Sequence, residues 1–190
     1  MAHSNNSLVT GKLRGSLGKE LVFREWEGKT VVAKAPKSRE GEPTPAQAET
    51  QEKFLLASRY ARAIIRSPDN KDLAEAYAAA LRPRQNVYSR ALEDFMTPPV
   101  VKSIKTRNYK GAAGDKIVVL ALDDFRVVSV RVEIYAANGT LLEEGNAEQN
   151  TNDVNFTYTA TQANSPLAGI KVIAIATDVP GNEGALEVIL

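Results

Sequence analysis

The stretch Val128-Ser129-Val130-Arg131-Val132-Glu133-Ile134-Tyr135, followed by Ala136-Ala137-Asn138-Gly139 and then Thr140-Leu141-Leu142-Glu143-Glu144, decides the fold of this chain. Val128, Val130, Val132 and Ile134 alternate with Ser129, Arg131, Glu133 and Tyr135, the period-two pattern of a strand with one face in a core. Asn138-Gly139 is the strongest hairpin signal in the sequence, because both residue types tolerate positive φ. A strand, a tight turn and a returning strand are expected over 128–144.

The same character extends on both sides. Val100–Thr106 and Lys116–Leu122 read as strands, the second apolar on both faces. Gly145–Asp153 reads as a polar loop, Phe156, Tyr158 and Ala160 alternate with threonines, and Ile170–Thr177 and Ala185–Leu190 complete the set. Seven short strands with turn residues between them predict an immunoglobulin-like or fibronectin type III-like sandwich over 98–190. Thr97-Pro98-Pro99 marks its beginning.

Before that boundary the period becomes helical. Thr44-Pro45 supplies an N-cap and a first-turn proline, and Phe54, Ser58, Ala61 and Ile65, widened by Leu55 and Ile64, form an apolar stripe ending near Ser67. Ser67-Pro68-Asp69 starts an Ala-rich helix to about Leu81, carrying Leu73, Tyr77 and Leu81 on one face. A third helix, from about Gln85 to Phe95, presents Val87 or Tyr88, Ala91, Leu92 and Phe95. Pro36–Pro45 is a polar linker. Leu21–Trp26 and Lys29–Ala33 read as a hairpin turning at Glu27-Gly28. A lone hairpin is marginal in water, so it must pack on helices or pair with another chain. The expected organisation is α+β in two domains. Residues 1–20 form a flexible glycine-containing arm, 21–97 a hairpin plus three-helix unit, and 98–190 the sandwich.

Composition narrows the function. The 190 residues are 43% apolar and 25% charged, ordinary globular material, with no Cys and one His. Disulfides, thiolate metal sites and cysteine nucleophiles are excluded, and His3 in a polar tail cannot supply imidazole chemistry. The net charge of +1 gives no bulk attraction to nucleic acid or membrane, although bases exceed acids early in the chain and acids exceed bases after residue 100. No apolar run suits a signal peptide or a membrane span, so a cytoplasmic product is expected. It would reach the outside, or a virion, by lysis or leaderless export.

Two resemblances can be attached to these residues. Ala121-Leu122-Asp123-Asp124-Phe125 with Val128–Ile134, and Ala174-Ile175-Ala176-Thr177-Asp178-Val179-Pro180-Gly181-Asn182, resemble the strand ends of bacterial immunoglobulin-like modules. That resemblance implies a sandwich serving as spacer, adhesive surface or assembly unit, without the paired Cys and core Trp of antibody domains. Gly11-Lys12-Leu13-Arg14-Gly15-Ser16-Leu17-Gly18, with Val22-Phe23, Gly28-Lys29, Val31-Val32 and Pro36, is similar to the opening of small uncharacterised Bacteroidetes proteins, which implies a lineage and no chemistry.

The candidate sites are few. Asp123, Asp124 and Asp178 end neighbouring strands and could offer oxygens to calcium; Asx turn capping explains them as well, and no metal is expected. Gly11, Gly15 and Gly18 lack the preceding strand and the Lys-Ser/Thr of a phosphate loop. Glu143-Glu144 reads as solubilising charge. Leu13, Leu17, Val22, Phe23, Trp26 and Val32 are candidate interface residues, with Trp26 either an interface anchor or packed on the Phe54/Ile65 face.

The expected function is a non-enzymatic structural or assembly protein that self-associates through its N-terminal arm and hairpin into a homo-oligomer, filament or phage-like particle. No cofactor and no small-molecule substrate are expected. The alternative is a cytoplasmic module whose Lys12, Arg14 and Lys19 engage nucleic acid.

Overall fold

A computed structural model describes residues 2–4, 13–37, 41–151, 154–164 and 166–190; of residues 2–4 the backbone alone is described. Contacts divide the chain into two compact units, 1–44 and 45–190. The three helices therefore share a unit with the C-terminal strands, rather than with the hairpin as a boundary at 97/98 implies.

In the first unit the hairpin forms as expected. Strands β3 (Leu21–Trp26) and β4 (Lys29–Lys34) pair antiparallel with Trp26 opposite Lys29. Glu27 and Gly28 have φ of 55° and 72°, the left-handed pair of a two-residue turn whose twist matches the strands. The expected arm is in part sheet: β1 (Ala2–Ser4) lies beside β4 and β2 (Gly15–Leu17) beside β3, giving the order β1-β4-β3-β2. The hairpin's ladder groups are taken up by its own N-terminal segment rather than by helices or another chain. Lys12 and most of the expected Gly11–Gly18 run's opening lie outside the described residues.

In the second unit, α1 (Pro45–Arg66) begins at the proline suited to a first helical turn. A 3-10 turn (Pro68–Asn70) leads into α2 (Lys71–Ala79), and α3 (Val87–Met96) is capped by Asn86, whose side chain accepts from the Ser89 N–H at 2.8 Å. The buried face of α1 is Ala57, Ser58, Ala61 and Ile64, while Phe54 and Ile65 are exposed. Ser58, Ala61 and Ile64 of the expected stripe are thus buried, while Ala57 rather than Phe54, Leu55 or Ile65 completes the face, because α1 meets its neighbours through small residues. Ala61, Ile64, Tyr77 and Ala91 form a small core, against which Phe125 packs.

The strands follow as β5 (Val100–Lys105), β6 (Lys116–Leu122), β7 (Val127–Tyr135), β8 (Leu141–Gln149), β9 (Asn155–Thr159), β10 (Lys171–Asp178) and β11 (Glu183–Ile189). They make one antiparallel, nearly closed sheet in the order β11-β10-β7-β8-β9-β6-β5. Strand β8 carries the turn of the sheet: Leu141–Ala147 pairs with β7, and Glu148–Gln149 with β9. Most of the expected loop 145–153 is thus strand. Closure is tight at the other side, where a Cβ on Gly184 of β11 would lie 1.8 Å from the Pro99 carbonyl oxygen just before β5.

The core is aliphatic, with Ile117, Val119, Val130, Val132, Ile134, Val172, Ala174 and Ala176 joined by Phe156 and Tyr158. Val128 departs from the expected alternation and is exposed, because a register shift at Thr177/Asp178 turns Val127 inward in its place. Among the described residues no helix is long and apolar enough to cross a membrane.

Candidate functional site

The polar residues that matter gather where the helices meet the strand ends of the same unit. Phe125, in the β6–β7 loop, stacks on Tyr77 of α2 with ring centroids 4.3 Å apart, and Arg90 of α3 sits over its ring at 5.5 Å. Arg90 is 2% exposed and donates through Nη1 to Asp124 Oδ2 at 2.6 Å, through Nη2 to the Asp124 carbonyl, and to Glu93 Oε2 at 3.3 Å. Arg82 reaches Glu93 Oε1 at 2.6 Å and Asp124 Oδ2 at 3.8 Å. From the neighbouring loop, Asn182 donates to Asp178 Oδ2 at 2.7 Å and to the Phe95 carbonyl at 3.1 Å.

Within this frame lie four carboxylates. Asp123 Oδ2 accepts the N–H groups of Phe125 and Arg126, each at 2.9 Å, so the expected Asx capping is present. Asp178 accepts the Asn182 N–H at 2.6 Å, which likewise caps its turn. Asp94, fully buried on α3, accepts the Tyr77 hydroxyl on Oδ2 at 2.5 Å, and Tyr77 in turn lies 2.9 Å from the Tyr60 hydroxyl. Burial pushes the Asp94 carboxyl up to about 7, against the Tyr77 hydrogen bond and helped by the charges of Asp123, Asp124 and Asp178. Burial also raises Asp178 above the usual carboxylate range.

One carboxylate oxygen from each of Asp94, Asp123 and Asp124 lies within 4.8 Å of the other two. The third member of the expected trio, Asp178, is not in this cluster, and Asp94 takes its place. Nothing in the sequence around Asp94 marks it. Only the packing of α3 on the strand ends brings it there.

The candidate interface residues of the first unit do not form one patch. The register Gly15–Phe23–Val32 and Leu17–Leu21–Lys34 puts Leu17, Phe23 and Val32 on one face of the sheet, and Val22 and Trp26 on the other. Leu17 is 64% and Trp26 57% exposed, Leu13 is exposed, and Val22, Phe23 and Val32 are half-buried. Of the three cations in the nucleic-acid alternative, Lys12 is outside the described residues, Arg14 pairs with Glu25, and Lys19 is exposed.

No family model matches the chain, and no curated protein matches it. Two solved structures are similar over about half of it. One is an engineered protein, 26% identical over 47% of this chain and 18% of that one, with a TM-score of 0.33. The other is a tetra-tandem repeat from the extending region of a large adhesion protein, 19% identical over 48% of this chain and 23% of that one, with a TM-score of 0.36. The chain thus spans about a fifth of the length of each.

A second buried polar cluster lies around Glu143 and Asn164. Glu143 on β8 is buried, not a solubilising charge. It accepts from the Tyr158 hydroxyl at 2.8 Å, from both the N–H and hydroxyl of Thr161, and from Asn164 Nδ2 at 2.8 Å. Burial raises its pKa, but these donors outweigh it and hold the carboxyl below the usual range. Glu144 beside it is exposed, as expected. The signal lay in strand parity, since Glu143 stands opposite Ile134, a core position.

Proposed function

We propose that the protein is a non-enzymatic assembly unit, in which residues 45–190 serve as a helix-braced, fibronectin type III-like building block and the N-terminal sheet carries self-association. The observation that supports this reading is the outer strand β2. Among the described residues it pairs on one side only, with β3, and it carries the exposed Leu17. An outer strand with an exposed apolar side chain is a template for strand addition from a second copy. The strand order supports the module assignment: β6, β5 and β9 make a three-stranded half, and β8, β7, β10 and β11 a four-stranded half, joined through β8. Nothing favours the nucleic-acid reading to the same degree, since Glu25 already occupies Arg14.

Sedimentation and negative-stain microscopy of the full chain test the proposal. Oligomers or filaments should grow with concentration, and Leu17→Lys, which places a charge on the outer strand, should shift them toward monomer. A wild-type protein that remains monomeric at high concentration overturns it.

A further inference from the structure

We propose that Asp94, Asp123 and Asp124 bind a divalent cation, best matched by calcium, at the seam between α3 and the β6–β7 loop. Each carboxylate is already oriented through one oxygen: Tyr77 donates to Asp94 Oδ2, two backbone N–H groups to Asp123 Oδ2, and Arg90 to Asp124 Oδ2. The other oxygen of all three, Oδ1, is buried and has no hydrogen-bond partner. Asp94 is 0% exposed, so water does not solvate it in compensation. Buried anionic oxygens without donors are costly, and three carboxylates that each offer an oxygen within 4.8 Å of the other two are what one cation would satisfy. The donors on the oriented oxygens then act as the outer shell that fixes ligand geometry.

The charge balance points the same way. Arg90 and Arg82 are matched by Asp124 and Glu93, and among the described residues Asp94 and Asp123 make no ion pair. Asp123 also lines an open groove with Leu122, Arg126, Gln149 and Val154.

The donor set selects the ion. All three ligands are oxygens, which suits a hard cation rather than zinc or copper. Calcium, at roughly 2.3–2.6 Å from its ligands, accepts irregular sets of carboxylate oxygens and waters, whereas magnesium at about 2.0–2.1 Å demands near-ideal octahedral geometry. An ion here would clamp α3 to the strand ends. This inference stands apart from the assembly proposal, because it concerns residues 94–124 and is read from a single chain.

The test uses the full chain after chelator treatment. Calcium chloride should raise the melting temperature by several degrees, magnesium chloride by less, and sodium chloride at matched ionic strength not at all. Asp94→Asn, nearly isosteric, should abolish the calcium response, while Asp72→Asn, at an exposed position on α2, should keep it. Terbium luminescence excited through tyrosine gives a second readout, with Tyr77 bonded to Asp94. It should appear in the wild type, fall on adding calcium, and vanish in Asp123→Asn. Absence of both a melting shift and terbium emission in the wild type overturns the proposal, as does an undiminished calcium response in Asp94→Asn.

Discussion

Arg90 on α3 and Asp124 in the β6–β7 loop, 2.6 Å apart, form a mostly buried ion pair that ties the helices to the strand ends. Replacing a buried guanidinium leaves a half-buried carboxylate and a backbone carbonyl without donors. Arg90→Met should lower stability by about 3 kcal/mol in urea denaturation. Arg90→Lys should recover only part, because an ammonium cannot serve both Asp124 acceptors in fork geometry. A loss under about 1 kcal/mol for Arg90→Met would show that Arg82 takes over the pair.

Glu143 makes stability depend on pH in a definite direction. Its folded pKa lies below the ordinary glutamate value of 4.5, so the carboxylate favours the folded state. That contribution is fully present above pH 4.5 and is lost as pH falls through the depressed folded value. Glu143→Gln should cost about 1–3 kcal/mol at neutral pH, since its amide NH2 would confront the Asn164 donor. It should also flatten the stability curve below pH 4.5, which acid titration of unfolding measures. An unchanged acid slope would remove Glu143 as the cause.

Much of the fold is legible along the chain, because strands and helices write their periods in side-chain polarity. Val130, Val132 and Ile134 alternate into the core as read, and Pro45 and Pro68 open helical segments where they stand. On α1 the period places Ser58, Ala61 and Ile64 inward correctly, but Ala57 carries too little apolar surface to mark the face, although it allows close helix approach. Phe54 and Ile65, larger and at matching spacing, lie instead at an exposed edge. The candidate site was half legible: Asp123 and Asp124 are at strand-end positions, whereas Asp94 and Arg90 sit in a helix whose polarity pattern suggests a solvated face. Their burial arises from contacts across about 30 residues of chain, which no local period records.

Gly184 admits the Pro99 carbonyl beside β11, and a methyl group there would overlap it at 1.8 Å. Gly184→Ala should force the two backbones apart and cost about 1–3 kcal/mol. Glu187→Ala, an exposed change on the same strand, should stay within about 0.5 kcal/mol. Equal effects of the two substitutions in thermal unfolding would contradict the tight closure.

Glu27 holds φ of 55°, a left-handed conformation that a glutamate adopts at a cost, next to Gly28 at 72°. Asparagine suits that position in a two-residue turn. Glu27→Asn should therefore stabilise the hairpin by about 0.5–1 kcal/mol. Amide hydrogen exchange in Val22–Ala33 reads this locally, with slower exchange expected. Faster exchange would mean that the interactions of Glu27 outweigh its backbone strain.

Trp26 is the only tryptophan in the chain, so its fluorescence reports one place. It is 57% exposed and lies on the sheet face opposite Leu17, Phe23 and Val32. At low concentration its emission should resemble that of solvated tryptophan, and iodide should quench it readily. If self-association runs through the backbone edge of β2, assembly should leave that emission nearly unchanged, because the indole sits on strand β3 at the turn end. If instead assembly stacks the Trp26 face against a partner, the emission should shift to shorter wavelength and lose quenching in step with oligomer size. Comparing Leu17→Lys with Trp26→Ala then separates the two geometries. Edge addition requires Leu17→Lys to dissolve the oligomer while Trp26→Ala spares it, and the reverse pattern would move the interface from the strand edge to the sheet face.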